Sequence, residues 1–527
     1  MTRSTTTGSA AIGRREFLRL AGGAGAALAA SQAACGKTAG SGQPPMPGKP
    51  HILLLMTDQQ RADTVGAFGN PVIHTPNMDR VAAGGVRFER AYTSVPSCTP
   101  ARAGLLTGQS PWHHGMLGYG RVGERYRFEM PRMLAEAGYH TFGIGKMHWF
   151  PQRELHGFAG TLLDESSRSE TEGFVSDYRR WFREQAPDLA YDATGIGWNS
   201  YRAAPYAMPE ELHPTVWTGN QAVELIEDYQ REEPLMLKVS FARPHSPYDS
   251  PARFWEGYLE SDLPGPVVGD WAGRYEQQDE SYGYSTWKGK LDRAEIMRAR
   301  RGYYGSVSFI DEQIGRIFAA LEQKGMIDNT LIIFCTDHGD MLGDHNLWRK
   351  TYAYESSARS PIMLRWPKSW GMDNKRGTAL RQPVELRDIL PTMLDAVGEN
   401  IPAEMDGGSL LSLVRGDDTN WRKWIDLEHF RCYDESNHWN ALADDRWKYV
   451  FSGYDCSEQL FDLREDPGEL HDLASETAYR SRLAEWRGEM IDFFQERGEP
   501  FVKDGKLLAR KDTGILYSPH YPGAAQI

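Results

Sequence analysis

Short runs of consecutive apolar residues punctuate the chain, each closed by polar or charged positions. His51-Ile52-Leu53-Leu54-Leu55-Met56 gives way at once to Thr57-Asp58-Gln59-Gln60, the pattern of a strand buried on both faces. The same grammar recurs. Residues 133–137 read as a helix stopped by Gly138, followed by a strand over 141–145 and then Lys146 and His148. Ala222, Val223, Leu225 and Ile226 mark a helix before a strand over 235–241, after which comes Arg243-Pro244-His245. Ile310, Ile314, Ile317, Phe318 and Leu321 fall at helical spacing and Gly325 supplies a stop. Leu331-Ile332-Ile333-Phe334-Cys335 then runs into Asp337-His338. Helices alternating with doubly buried strands predict an α/β fold, a large and mostly parallel sheet flanked by helices. Ligands of such sheets bind beyond the carboxyl ends of the strands, so Asp58, Lys146, His245 and Asp337 are expected to converge on one edge.

The patterning also divides the chain. The main α/β domain is expected over 50–416, closed by Gly416-Asp417-Asp418. Residues 417–502 read as a smaller C-terminal subdomain, with short strands over 424–430, 440–451 and 459–462 and a helix over 479–494, that is, an antiparallel sheet plus a helix. The tail, 503–527, is polar and turn-rich. Ahead of the main domain, 36–49 is a Gly-, Pro- and Ser-bearing linker. Residues 1–35 carry Arg14-Arg15-Glu16-Phe17-Leu18 before a weakly apolar Gly/Ala/Leu run, the form of a twin-arginine export signal. That run is too short and too rich in Gly to span a bilayer, so a periplasmic or cell-surface location is expected. Ala33-Ala34-Cys35-Gly36 reads as a lipoprotein cleavage site, which would make a lipid on Cys35 the one membrane attachment; plain cleavage near Ala33 or Ala34 is the alternative.

Composition narrows the function. With 527 residues, 40% of them hydrophobic, the chain can hold one large core and an appended domain. A net charge of -13 argues against nucleic acid or an anionic membrane as partner, because both need a basic face. Five cysteines are too few for a disulfide scaffold, although Cys432 and Cys456 are free to pair after export.

The most specific stretch runs from Ser97 to Gly108. Pro100 suits a first helical position, which puts Cys98 just before a helix whose free N–H groups face any oxyanion held there. Alone, that describes an ordinary cysteine beside a capped helix. However, the stretch resembles the sulfatase family, whose Cys-x-Pro-x-Arg pattern is matched by Cys98, Pro100 and Arg102 and continued by Leu106-Thr107-Gly108. The resemblance extends from His51 to about Asp472. It is carried also by Asp58-Gln59-Gln60-Arg61, His74-Thr75-Pro76-Asn77-Met78-Asp79, Gly145-Lys146-Met147-His148, and the segment from Asp337 through His345 to Lys350, separate motifs in the family's order.

The resemblance implies an alkaline-phosphatase-like fold and a chemistry. A formylglycine-generating enzyme would oxidise Cys98 to formylglycine. One hydroxyl of the aldehyde hydrate attacks sulfur and the other, deprotonated, expels sulfate. One divalent metal would be held by Asp58, Gln59, Asp337, His338 and an oxygen of modified Cys98. Arg102 would hold the diol and the metal carboxylates, Lys146 the sulfate and nucleophile. His148 would remove the proton, and His245 and Lys350 would contact sulfate and protonate the leaving oxygen. The commonest family pattern has a second Asp at Gln59 and an Asn at His338. Calcium is the family habit, but an amide and an imidazole nitrogen admit manganese. The expected substrate is an anionic sulfate ester, a small molecule or a glycan, with carbohydrate preferred. A phosphonate monoester or phosphodiester hydrolase, whose relatives share the Asp-Gln and Asp-His pairs, is the rival; a non-catalytic lipoprotein that binds sulfated glycan is the third reading. Twin-arginine transport carries folded protein, so oxidation must precede export. His113-His114 are expected to flank the Cys98 helix. Trp149-Phe150, the loop 201–213 and the run 271–287 are open between packing and a substrate subsite, the last reading as a surface insertion.

Overall fold

The computed structural model describes residues 48–166 and 168–523. The expected export signal, the Cys35 site and all but the end of the linker lie outside the described residues. Among the described residues no helix is long and apolar enough to cross a membrane.

An eight-stranded sheet forms the centre. Its strands are β1 (His51–Asp58), β2 (Val86–Phe88), β3 (His140–Gly145), β4 (Gly160–Leu163), β5 (Leu235–Pro244), β6 (Thr330–Thr336), β7 (Ile362–Arg365) and β8 (Thr378–Leu380). Their spatial order is β4-β3-β5-β1-β6-β7-β2-β8. From β4 to β6 every neighbouring pair is parallel, and β7 is antiparallel to β6 and to β2. The apolar runs are double-sided as expected. Ile52, Leu54 and Met56 of β1 join one core with the helix α2 (Cys98–Thr107), whereas Leu53 and Leu55 join another. That second core contains α1 (Pro76–Ala83), α4 (Pro214–Glu227) and the 31-residue α5 (Arg293–Gln323). The expected helix over 133–137 is α3 (Met130–Glu136). Gly325, just past α5, sits at φ +71°, the left-handed conformation that glycine adopts without penalty.

A separate four-stranded antiparallel sheet follows, made of β9 (Ile425–His429), β10 (Trp439–Ala443), β11 (Trp447–Ser452) and β12 (Glu458–Asp462), with α6 (Arg480–Phe493) against it. The run over 440–451 is not one strand. Asp444 accepts the backbone N–H groups of Arg446 and Trp447 through its Oδ1 and folds the run into a hairpin, an Asx turn that apolar periodicity does not register. Lys448 of β11 is buried and donates at 2.8 Å to Glu355, a few residues before β7, and to Glu469, just beyond β12. All four strands and the large sheet fall within one compact unit, Met46–Ile527.

The polar tail carries more structure than its composition suggests. Leu117 N–H donates to Leu516 C=O, and Ser518 N–H to Gly115 C=O. Arg510 is buried and bonded to Asn440. The run 271–287 is only partly a surface insertion, since Ala272 and Trp287 are buried while Tyr284 is exposed. Cys98, Cys335, Cys432 and Cys456 are all free thiols.

Gly145 closes β3 at φ +92°, and a Cβ there would lie 2.0 Å from the backbone oxygen of Ser240. Strain and clash act together and neither neighbour can yield. Gly145→Ala is expected to destabilise the fold by about 2–4 kcal/mol, read as a lowered urea midpoint at unchanged slope.

Candidate active site

Adjacent parallel strands deliver the charged residues to one rim. Asp58 is the last residue of β1, Lys146 follows β3, His245 follows β5 by one residue and Asp337 follows β6. Backbone bonds lock these ends in register: Lys146 N–H donates to Ser240 C=O, and His245 N–H to Asp58 C=O. The helix α2 begins at Cys98 itself, not at Pro100. Pro100 is its third residue, where the absent N–H still falls among the donors a helix leaves unpaired.

Cys98 Sγ lies 3.2 Å from His338 Nε2, 3.4 Å from Lys350 Nζ, and 3.9 Å from both Asp58 Oδ1 and Lys146 Nζ. One helical turn on, Arg102 reaches across the strand ends. Its Nε donates to Asp337 Oδ2 at 2.9 Å and its Nη2 to Asp58 Oδ2 at 3.3 Å. Its Nη1 donates to the Lys146 carbonyl at 2.5 Å and to Ser240 Oγ at 3.0 Å. Lys146 Nζ is paired with Asp58 Oδ2. Lys350 Nζ donates to Gln59 Oε1 at 2.9 Å and to His245 Nε2 at 2.8 Å. Every site residue expected from the sequence is buried, Lys350 the most exposed of them at 6%.

His148 stands apart from this web. Both its ring nitrogens are buried and, among the described residues, without a hydrogen-bond partner; Glu170 Oε1 is 3.9 Å from Nε2, and the ring packs edge-on against Tyr119. Gln59 and His148 share a left-handed backbone, φ +67° and +62°. For non-glycine residues that stores about 1–3 kcal/mol each, held by the surrounding bonds.

The electrostatics follow from three cations, Arg102, Lys146 and Lys350, set against two carboxylates. Burial pushes the Asp58 carboxyl up, but Lys146, His245, Arg102 and Lys350 outweigh it and hold Asp58 well below the usual range. Burial and Asp58 raise the Cys98 thiol, while Lys146, Lys350 and His338 lower it, leaving it at about 7. Burial, then Arg168 and Lys146, push His148 well down, and burial with Lys350 does the same to His245. Both imidazoles are therefore neutral at pH 7. Because His245 Nδ1–H donates to the Ser246 carbonyl at 2.8 Å, its Nε2 is the acceptor and the shared proton belongs to Lys350.

The donor set fits a divalent cation. Oxygens of Asp58 and Asp337, Cys98 Sγ and a His338 nitrogen all lie within 4.8 Å of one another. His338 Nδ1 donates to the Gly339 carbonyl at 2.9 Å, so Nε2, 3.2 Å from Cys98 Sγ, is the nitrogen that would face a cation, giving up the proton that Asp337 and Cys98 favour there against burial. Gln59 presents its amide oxygen to Lys350 in the same space.

Sequence reasoning missed several supporting residues. Glu165 Oε1 accepts the backbone N–H groups of Met147 and His148 at 2.9 Å each and so fixes the turn after β3. Asp340 holds the Gln59 amide. The aromatic that reaches the centre is Trp198, stacked on His245 at 3.9 Å with the Lys146 ammonium 5.3 Å from its ring centroid, just outside the loop 201–213. Trp149 is core packing, stacked on Phe158. His113 flanks α2, paired with Asp406 and Glu496. Of Glu165, Asp340 and Trp198, Asp340 alone bears a signal in sequence, since it lies inside the Asp337–His345 motif. Arg61 and Asp344, from different motifs, form a 2.8 Å ion pair.

A mostly parallel α/β sheet that gathers cations, carboxylates, imidazoles and a thiol at one rim is the setting of an enzyme's active site. The chain belongs to the sulfatase family of enzymes: residues 50–399 match the family model described as Sulfatase, and residues 343–496 that of the N-sulphoglucosamine sulphohydrolase C-terminal region. The chain is 38% identical to an arylsulfatase of Clostridium perfringens, covering 87% of this chain and 97% of the relative. It is 32% identical to a choline-sulfatase of Rhizobium meliloti, covering 84% and 88%. In structure it is similar to a phosphonate monoester hydrolase of Agrobacterium radiobacter, with TM-score 0.70 and 22% identity over 88% of this chain and all of that one, a likeness of fold.

Arg102→Met removes the guanidinium that faces both buried carboxylates. Urea unfolding in the presence of a chelator is expected to show a loss of about 3–5 kcal/mol. A loss under about 1 kcal/mol would mean that Lys146 alone compensates Asp58 and Asp337.

Proposed function

We propose that this enzyme hydrolyses an organic sulfate ester, with a carbohydrate as the leaving group, using formylglycine made from Cys98 and one divalent cation held by Asp58, Gln59, Asp337 and His338. The observation that carries the reading is the position of the Cys98 side chain. It sits at a helix N-terminus, against Asp58 and His338, in a pocket with the Lys350 and Lys146 ammonium groups 3.4 and 3.9 Å from its sulfur. An anionic group is drawn to such a pocket and an ordinary structural cysteine gains nothing from it. The intact constellation speaks against the non-catalytic glycan-binding reading. The sugar is supported by the description of the C-terminal family model.

The hydrated formylglycine would supply a nucleophilic hydroxyl, and the cation would lower that hydroxyl's pKa. The remaining work falls to the protein's own groups. Lys146 and Lys350 bind the sulfate oxygens from two sides. Arg102 keeps both carboxylates in place as charge develops. His148, neutral and without a hydrogen bond at either ring nitrogen among the described residues, takes up a proton at Nδ1 or Nε2, the latter 3.9 Å from Glu170 Oε1. Lys350 gives a proton to the leaving oxygen, and its bond to His245 Nε2 fixes the direction from which it does so.

A second reading, phosphonate monoester or phosphodiester hydrolysis, is favoured by one feature, the amide oxygen of Gln59 and imidazole of His338 where the commoner pattern has two oxygen donors. The same pair favours manganese over calcium. For the cell, we propose export by the twin-arginine route after oxidation of Cys98 in the cytoplasm.

The test is a mass measurement of the peptide carrying Cys98, paired with turnover of an aryl sulfate and an aryl phosphonate. The expected results are replacement of sulfur and two hydrogens by one oxygen at residue 98, faster turnover of the sulfate, and loss of about 10³-fold or more in kcat for Cys98→Ala. An intact thiol in active enzyme sinks the mechanism, and preference for the phosphonate selects the second reading.

A further inference from the structure

Gln59 poses a problem that a carboxylate at the same place would not. A carboxylate offers oxygen on either side, but an amide offers oxygen on one side and an NH₂ group, which cannot ligate a cation, on the other. Something must decide which end faces the centre. Gln59 is buried, so water is not available to do so.

Asp340 is the group in position. Its Oδ2 accepts Gln59 Nε2 at 2.5 Å. The same oxygen accepts Tyr248 Oη at 2.6 Å, and Oδ1 accepts the Leu342 backbone N–H at 3.0 Å. Asp340 is completely buried, and it makes no ion pair among the described residues. Although it lies three residues from Asp337 in the chain, it stands outside the group of side chains that could hold a metal. Asp340 is the acceptor in all three of these contacts, so it faces the amide's NH₂ and not its oxygen. On the other side, Lys350 donates to Oε1, and the two neighbours enforce the same orientation.

We propose that Asp340 is the positioning residue that keeps the oxygen of Gln59 turned toward the cation. It does a second thing. Where the commoner family pattern has a carboxylate ligand, this chain has a neutral amide with a carboxylate directly behind it. The negative charge is displaced outward by the length of one hydrogen bond, and it polarises the amide so that Oε1 becomes a stronger donor. Gln59 and Asp340 together then act as one extended anionic ligand. The inference rests on the cation site proposed above.

The experiment is a calorimetric titration of Mn²⁺ into the metal-free full-length protein, with thermal unfolding of each metal-free variant as a control. Asp340→Asn retains the shape but removes one of the two groups that orient the Gln59 amide, and it is expected to weaken Mn²⁺ binding about 10–100-fold. The double variant Q59E/D340N exchanges the amide and the carboxylate, so position 59 presents oxygen whichever way it turns. Its affinity is expected to return to within about threefold of wild type. A residue that only supported the fold would give the same loss with Gln or Glu at position 59. An unchanged affinity in D340N, or an undiminished loss in the double variant, therefore overturns the inference. Should D340N fail to fold, Tyr248→Phe replaces it. Removing one donor from Asp340 is expected to weaken binding with Gln at position 59 and not in the Q59E background, and equal effects in the two overturn the proposal. A wild-type protein that binds no Mn²⁺ refutes the cation site itself, and is told apart by the absence of any titration signal.

Discussion

The centre depends on one buried guanidinium. Arg102 touches Asp337 at the end of β6, Asp58 at the end of β1, the Lys146 carbonyl beyond β3 and Ser240 in β5. Two carboxylates taken out of water a few ångströms apart repel each other, and only a cation with several donors in a fixed fork can satisfy both and two neutral acceptors besides. Because Arg102 lies one turn beyond Cys98 on α2, the bond that holds the strand ends together also sets how close Cys98 comes to them. The position of the nucleophile and the compensation of the acids are thus one constraint.

Around that fork the remaining groups are oriented by single directed hydrogen bonds, to backbone carbonyls or to carboxylates. His338 and His245 each spend Nδ1–H on a nearby backbone carbonyl, which leaves Nε2 facing the centre. Glu165 gathers the N–H groups of Met147 and His148. Asp340 turns Gln59. Each of these fixes one of two otherwise equivalent orientations of a side chain or turn, in an interior too dry for water to average them.

The small C-terminal sheet is part of this arrangement. Lys350 sits between Arg349 and Thr351, both with left-handed backbone. Thr351 N–H donates to the Pro96 carbonyl, two residues before Cys98. From the other side, Trp439 at the start of β10 donates to the Thr351 carbonyl at 2.9 Å, and Asn437 to its hydroxyl at 2.8 Å. The strained segment that presents Lys350 is thereby pinned between the Cys98 loop and the second sheet. This explains physically why a chain with a complete α/β core needs the appended strands.

The sequence by itself determined the parts that depend on local pattern. Doubly buried strands announce themselves as unbroken apolar runs, so β1, β3, β5 and β6 and the polar residue beyond each were legible. So was the Cys98-to-Arg102 spacing, because one helical turn is a property of the backbone. What only the tertiary structure decided are relations between segments far apart in the chain. The sheet order sets β3, β5, β1 and β6 side by side, and no single run encodes its neighbours. The roles of Asp340, Glu165 and Trp198 arise from contacts with residues up to hundreds of positions away, and an isolated acid or indole reads the same in sequence whether it is solvated or buried. The hairpin inside 440–451 was decided by side-chain-to-backbone bonds and the packed tail by hydrogen bonds to distant segments, which leave no hydrophobic period to read.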